Sequence, residues 1–259
     1  MFQLLALVAL GTPQLAEAKD KFDPGSVQTV AMFGFGGTVE IEATATKTGI
    51  GILDTVNEVK KVDETVDALH SGELRDYAAQ QGIDAFVAVE AGLEDAFGWD
   101  VTGWETLRDD EAYAAVVEAN TMKGKLGAMA EAWGAGMCPP GLLHHEKAMW
   151  LKMDDRDALI DALGVDALVI ADVAITGKDR GVSVGGVGTS RVKPKALVTV
   201  QIFTKGEKKK VWRGSVQGPK TDEAIKKDFG GSTGEDAEIY VDAITKGMDK
   251  FADKFAPES

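Results

Sequence analysis

Cys138, His144 and His145 fall within eight residues of one another, and a thiol beside two imidazoles is the first arrangement in this chain that suggests chemistry. All three are zinc-ligand types. Structural zinc sites take their ligands in pairs, at C-x2-4-C or H-x3-5-H spacing, and this chain has a single cysteine. Adjacent histidines in an extended segment point to opposite sides, so they are not expected to hold one ion together. The expectation is a loop with a packed thiol and surface imidazoles, in which Cys138, placed before Pro139-Pro140, is free or paired to another molecule. Asp172 adds a further candidate because it interrupts an apolar run. A buried carboxylate needs a partner, and Arg213 across the sheet is one candidate. Asp172, Cys138, His144 and His145 together make a ligand site for the alternative reading: a small-ligand- or metal-binding protein, or a hydrolase, with a cleft near residues 99–150.

Nucleophilic catalysis needs a Ser or Cys with a histidine base and an orienting acid. The remaining histidine, His70, stands in a lysine- and glutamate-rich segment and is expected to end a helix facing water. The carboxylate pairs Asp109-Asp110, Asp154-Asp155 and Asp222-Glu223 each fit the opening of a helix, where negative charge complements the dipole. No catalytic residue, metal site or cofactor is expected on the main reading.

The stretch RGVSVGGVGTSRVKP (180–194) carries four glycines within eight positions. A phosphate-binding P-loop needs G-x-x-x-x-G-K-[ST] between a strand and a helix. Gly181 and Gly186 have the spacing, but Val187-Gly188 replaces Lys-Ser. The dinucleotide pattern G-x-G-x-x-G fails at Arg191, and at GFGGTV (34–39) it fails at Val39. Pro194 and the strand-like ALVTV after it exclude a following helix. The glycines therefore read as a connection between two antiparallel strands, extending both, with a protruding apolar tip. Val182, Val184, Gly185, Gly186, Val187 and Gly188 form the expected contact loop.

These residues need elements to position them. SVQTVAMFGFGG (26–37) reads as a buried strand ended by a turn at Gly34, and TVEIEATAT (38–46) as an exposed strand or loop. Helical stripes occupy roughly 52–69 and 83–97. GWDVTGWETL is expected as a short strand and turn. The middle, about 99–150, is irregular and partly helical, and GMCPPGLLHHE is barred from helix by its prolines. DDRDALIDALG is a compact helix stopped by Gly164. VDALVIADVAIT (165–176) has the unbroken apolarity of a central strand covered on both faces. ALVTVQIFT (196–204) and KVWRGSVQ (210–217) form a hairpin whose tip, KGEKKK (205–210), is solvated. A final amphipathic helix spans about Glu235 to Phe255, striped by Tyr240, Ile244, Met248, Phe251 and Phe255. The fold class expected is a single α/β domain: a mixed sheet with an antiparallel hairpin and helices packed on it.

Length and charge set the compartment. The apolar run LLALVALGTPQLAEA ends in Ala16-Glu17-Ala18, the small-x-small pattern of signal cleavage, so residues 1–18 are expected to be a signal peptide cut after Ala18, with 19–259 as the folded domain. The n-region lacks Lys and Arg. The run is too short to span a bilayer. A formal net charge of −14 repels phosphate backbones and argues against a nucleic-acid partner. One cysteine rules out an intramolecular disulfide, which suits a bacterial periplasm.

The later half resembles the curli secretion channel (CsgG) family and related TolB-N-like periplasmic proteins. The resemblance rests on Gly164-Val165-Asp166-Ala167, Val198-Thr199-Val200, Thr204-Lys205-Gly206-Glu207 and Val211-Trp212-Arg213-Gly214, and on TVAMFGF in the first strand. It covers about 165–217 and 26–37. It implies an envelope protein working by assembly with other envelope proteins or copies of itself. The family's lipid-anchoring cysteine is absent, and the glycine-rich connection has two arginines and no aromatic residue for a membrane interface. The expectation is an exported, non-enzymatic periplasmic protein for assembly, secretion or scaffolding, not inserted in a membrane.

Overall fold

The apolar run after Gln28 forms β1 (Thr29–Glu42), and it does not stop at Gly34 as expected. It continues through Gly34, Gly36 and Gly37 because these glycines mark a close approach of neighbouring atoms. A Cβ on Gly34 would collide with the Ala148 side chain, and one on Gly36 would lie 2.8 Å from His144 Nε2. The computed structural model describes residues 22–42, 73–120, 137–178, 190–227 and 235–256. The expected helix at 52–69, His70, the signal segment with Ala18 and the contact loop 182–188 lie outside these residues.

The chain continues as α1 (Glu73–Phe97), β2 (Asp100–Thr102), α2 (Trp104–Asp109), α3 (Glu111–Asn120), β3 (Leu143–His144), α4 (His145–Ala148) and α5 (Met153–Leu163). Then come β4 (Ala167–Lys178), β5 (Ser190–Val192), β6 (Lys195–Thr204), β7 (Trp212–Gln217), β8 (Ile225–Lys227) and α6 (Glu235–Phe255). Gly164 ends α5 with φ 65°, a left-handed C-cap that glycine adopts without strain.

The main sheet has the order β2-β1-β4-β6-β7, with β3 continuing along the β1 edge beyond β2. β1 and β4 are parallel, from Val30↔Ala167 to Glu42↔Lys178, while β4-β6 and β6-β7 are antiparallel. The register shifts by one residue between Ala31 and Gly34, a bulge in β1. The carbonyl of Phe33, inside that bulge, is taken by the Tyr113 hydroxyl at 2.5 Å.

Helices cover the sheet on both faces. α1 and α6 lie over Phe35, Val169, Ala171, Val198 and Val200, with Phe86 edge-on to Phe35 at 5.5 Å. The stripe Tyr240, Ile244, Met248 and Phe251 of α6 is buried as expected. Trp212 of β7 meets Phe97 at 5.9 Å and Phe255 at 5.2 Å, tying this edge strand of the main sheet to both helices. Each such large side chain, fully buried, contributes about 1.5–3 kcal/mol. On the opposite face α4 and α5 cover Leu168, Ile170 and Phe203, with the Arg156 guanidinium 4.6 Å over the Phe203 ring.

Coverage of that second face stops halfway. Ala167 to Ala171 are wholly buried, but Asp172, Ala174 and Thr176 are half-exposed, so β4 is sheathed on both faces only in its first half. The helix α4 on that face ends at Ala148. The hairpin tip (205–210) is exposed as expected, and it is also fastened. Arg156 donates to the carbonyls of Glu207 and Lys208 at 3.3 and 2.9 Å, and Gly206 N–H donates to Asp157 at 3.0 Å. Lys205 pairs with Asp161 at 2.5 Å.

One further expectation changes. Asp222-Glu223 opens no helix: strand β8 follows, and Asp222 pairs with Lys246 at 2.7 Å. The expected extensions of β4 and β6 through Val182, Val184 and Val187 lie outside the described residues. Ser190–Val192 pair with Ile225–Lys227 in a separate two-stranded sheet. The single α/β domain with a mixed sheet and packed helices stands.

Candidate functional site

The uncovered half of the second sheet face collects the polar side chains. Register places Gly36, Asp172, Thr199 and Ser215 in one row across β1, β4, β6 and β7. The Thr199 and Ser215 hydroxyls lie 3.0 Å apart and share a hydrogen bond. Next along the strands, Gln201 donates to Met149 Sδ at 3.5 Å, and Arg213 stands opposite Gln201 and is exposed. The absent side chain of Gly36 leaves room at the end of the row, and His144 and His145 fill it.

The two histidines do not point apart. Their rings lie 4.3 Å centre to centre, because the chain turns from β3 into α4 between them and the alternation of an extended strand no longer applies. His145 Nε2 is 3.6 Å from Asp172 Oδ1, a contact too long for a hydrogen bond but close enough for charge to act. The other ring nitrogen, Nδ1, is buried against Gly36 and has no hydrogen-bond partner among the described residues.

Asp172 therefore meets His145 rather than Arg213. Burial raises its carboxyl above the ordinary aspartate range. His145 opposes that shift, Glu146 adds to it, and Arg213 opposes it from beyond ion-pair distance. Cys138 is placed apart from this group. Its thiol reaches the carbonyls of Pro139 and Leu142, both at 3.7 Å, and burial pushes it up to about 12, so it stays protonated and unreactive at neutral pH. Among the described residues no three His, Cys, Asp or Glu side chains come together as a metal site would need.

The row does not make a nucleophile–base–acid chain. Strands lie about 4.8 Å apart, so Ser215, two strands from Asp172, is roughly 10 Å from it. Gly181-Val182-Ser183-Val184-Gly185 has the G-x-S-x-G spelling of a nucleophile elbow, but it lies outside the described residues. Between α1 and α6 the side chains of Ala85, Met137, Tyr240 and Ile244 line a cavity of about 10 Å³, room for one water.

What sequence reasoning passed over is Trp150. It is 85 % exposed, next to Met149 at 42 %, where the chain leaves α4 beside the open face. Its only signal was a tryptophan following a short apolar step, with no periodic stripe to claim it. Among the described residues no helix is long and apolar enough to cross a membrane.

No family model and no curated protein matches this chain. Among solved structures, the crystal structure of lipoprotein GNA1162 from Neisseria meningitidis is similar at 11 % identity. That match covers 87 % of this chain and 99 % of the other, with a TM-score of 0.26. A likeness of that degree carries no argument about function.

Proposed function

We propose that this chain is an exported envelope protein that acts without catalysis, through protein–protein contact in assembly, secretion or scaffolding. The observation that carries the contact reading is Trp150, a large aromatic left 85 % exposed beside an open sheet face. Tryptophan is enriched among the anchors that dominate protein interfaces. Export rests on the cleavage pattern at Ala18 and on the resemblance to periplasmic families noted above. A photo-crosslinking residue in place of Trp150 should yield an adduct with an envelope protein in the native host. The recovered chain should begin at Lys19. An uncleaved cytosolic chain would overturn export, and a position-150 probe without adducts would overturn the contact.

A second reading, a small-ligand site at His145 and Asp172, is favoured by one observation: the buried Nδ1 with no partner among the described residues. NMR titration of both groups against a panel of small anions and divalent cations tests it, and resonances that stay put throughout would remove it.

A further inference from the structure

We propose that the outer edge of β7 accepts an extended acidic segment of a partner protein, which joins the sheet as a further strand. This inference stands on the edge strand alone and does not depend on export or on Trp150. Gly218 N–H donates to Ala196 O at 2.8 Å, which fixes the alternation of the β6-β7 ladder. Positions 212, 214 and 216 turn their backbone groups toward β6, so those of Arg213, Ser215 and Gln217 turn outward. The Lys254 ammonium donates to Ser215 O at 3.4 Å on that outward side, which leaves the Ser215 N–H as that residue's open group. No described strand lies along it.

The charges beside this edge select the occupant. Lys210, Arg213 and Lys254 make no ion pair with any described residue. Lys210 is close enough to Arg213 for the two cations to disfavour each other. Asp172, the carboxylate that feels Arg213, is engaged with His145. On a chain of net charge −14 this is a local reversal of sign. A second copy pairing β7 to β7 would set these cations against their own counterparts, which is how edge lysines and arginines hinder self-association. An acidic strand turns the same repulsion into attraction, and main-chain hydrogen bonds to Arg213, Gln217 and the Ser215 N–H supply the docking.

Fluorescence anisotropy of a labelled Glu-Val-Glu-Val-Glu peptide against the full chain tests this. Saturable binding is expected, weakened about tenfold by Arg213→Glu and weakened again by raised salt. Ser215→Pro removes the outward N–H at a position where an edge strand tolerates proline, so it should abolish binding while Ser215→Ala retains it. Circular dichroism melts establish that both variants fold. Equal binding by Ser215→Pro and Ser215→Ala, preference for Lys-Val-Lys-Val-Lys, or no binding at all would overturn the proposal. A dimer that Ser215→Pro splits would also overturn it, by giving the edge to a second copy.

Discussion

Asp166 and Thr29 bind each other reciprocally across the start of the sheet. The Asp166 carboxylate accepts from the Thr29 N–H at 2.9 Å and from its hydroxyl at 3.1 Å, and the Asp166 N–H donates to Thr29 O at 2.9 Å. Asp166 Oδ2, which takes both Thr29 donors, also accepts the Gln28 N–H at 3.0 Å. These bonds set the register in which β1 enters beside β4.

Asp166→Ala is therefore expected to cost about 1 kcal/mol, at the low end for such a cluster because the carboxylate is exposed. The backbone bonds from Thr29, then Gln28, hold the Asp166 carboxyl below its ordinary range. A depressed acid stabilises the fold above its unfolded pKa and loses that contribution as pH falls through the folded value. Urea midpoints should thus differ between wild type and variant at pH 7 and converge well below about pH 4. A gap of constant size would contradict this account.

Tyr113 carries a larger burden. Its buried hydroxyl donates to Phe33 O in the β1 bulge at 2.5 Å and accepts from Leu143 N–H at 2.9 Å. Tyr113→Phe strands two buried backbone groups and should cost about 2–4 kcal/mol. Amide exchange at Leu143 should rise beyond what global destabilisation predicts, since β3 loses its attachment to the bulge. Exchange that merely tracks the global change would show β3 held by other contacts.

Gly36→Ala tests the seating of the histidine pair. The new methyl would press on the rings of His144 and His145, and overpacking of this kind costs about 1–3 kcal/mol. The ring resonances of His144 and His145 should move, and the contact of His145 Nε2 with Asp172 Oδ1, 3.6 Å apart, should be disturbed. Unchanged resonances would mean that the rings have room to give way.

Glu90 of α1 supplies a pH dependence of opposite sign. Burial, reinforced by Glu94, raises its carboxyl to about 7. A raised acid contributes stability that is complete below its unfolded pKa and is lost as pH rises through the folded one. Melting temperature should thus decline between pH 5 and pH 8, and Glu90→Gln should flatten that decline. After discounting for half exposure the difference is about 1–2 kcal/mol. A wild type and variant that respond identically to pH would exclude Glu90 as the source.

Where apolar periodicity governs, the sequence was readable. The VDALVIADVAIT strand, the hairpin of β6 and β7, and the stripe of α6 are all where their patterns put them. Gly34 was misread because a glycine in an apolar run can mark a turn or a close neighbour, and only tertiary contact with Ala148 tells which. The pairing of His144 with His145 was hidden for a related reason: their common direction depends on a strand ending between them. Of the four residues grouped as a possible ligand site, three are drawn to the open face and Cys138 is turned to its own loop. Asp172 stood out as a charge inside an apolar run. The Thr199–Ser215 hydroxyl pair did not, since small hydroxyl residues in strands are unremarkable until register aligns them.

The parallel pairing of β1 with β4 also governs the order in which the chain can fold. Thr29 and Asp166 are 137 residues apart, whereas β6 and β7 meet across a short turn. Closing so long a loop is entropically costly and slow, and the hairpin is fast and local. The hairpin and β4 can assemble first as an antiparallel sheet, and β1 then joins that template. A chain emerging N-terminus first holds its opening strand without its longest partner until residues 167–178 have followed.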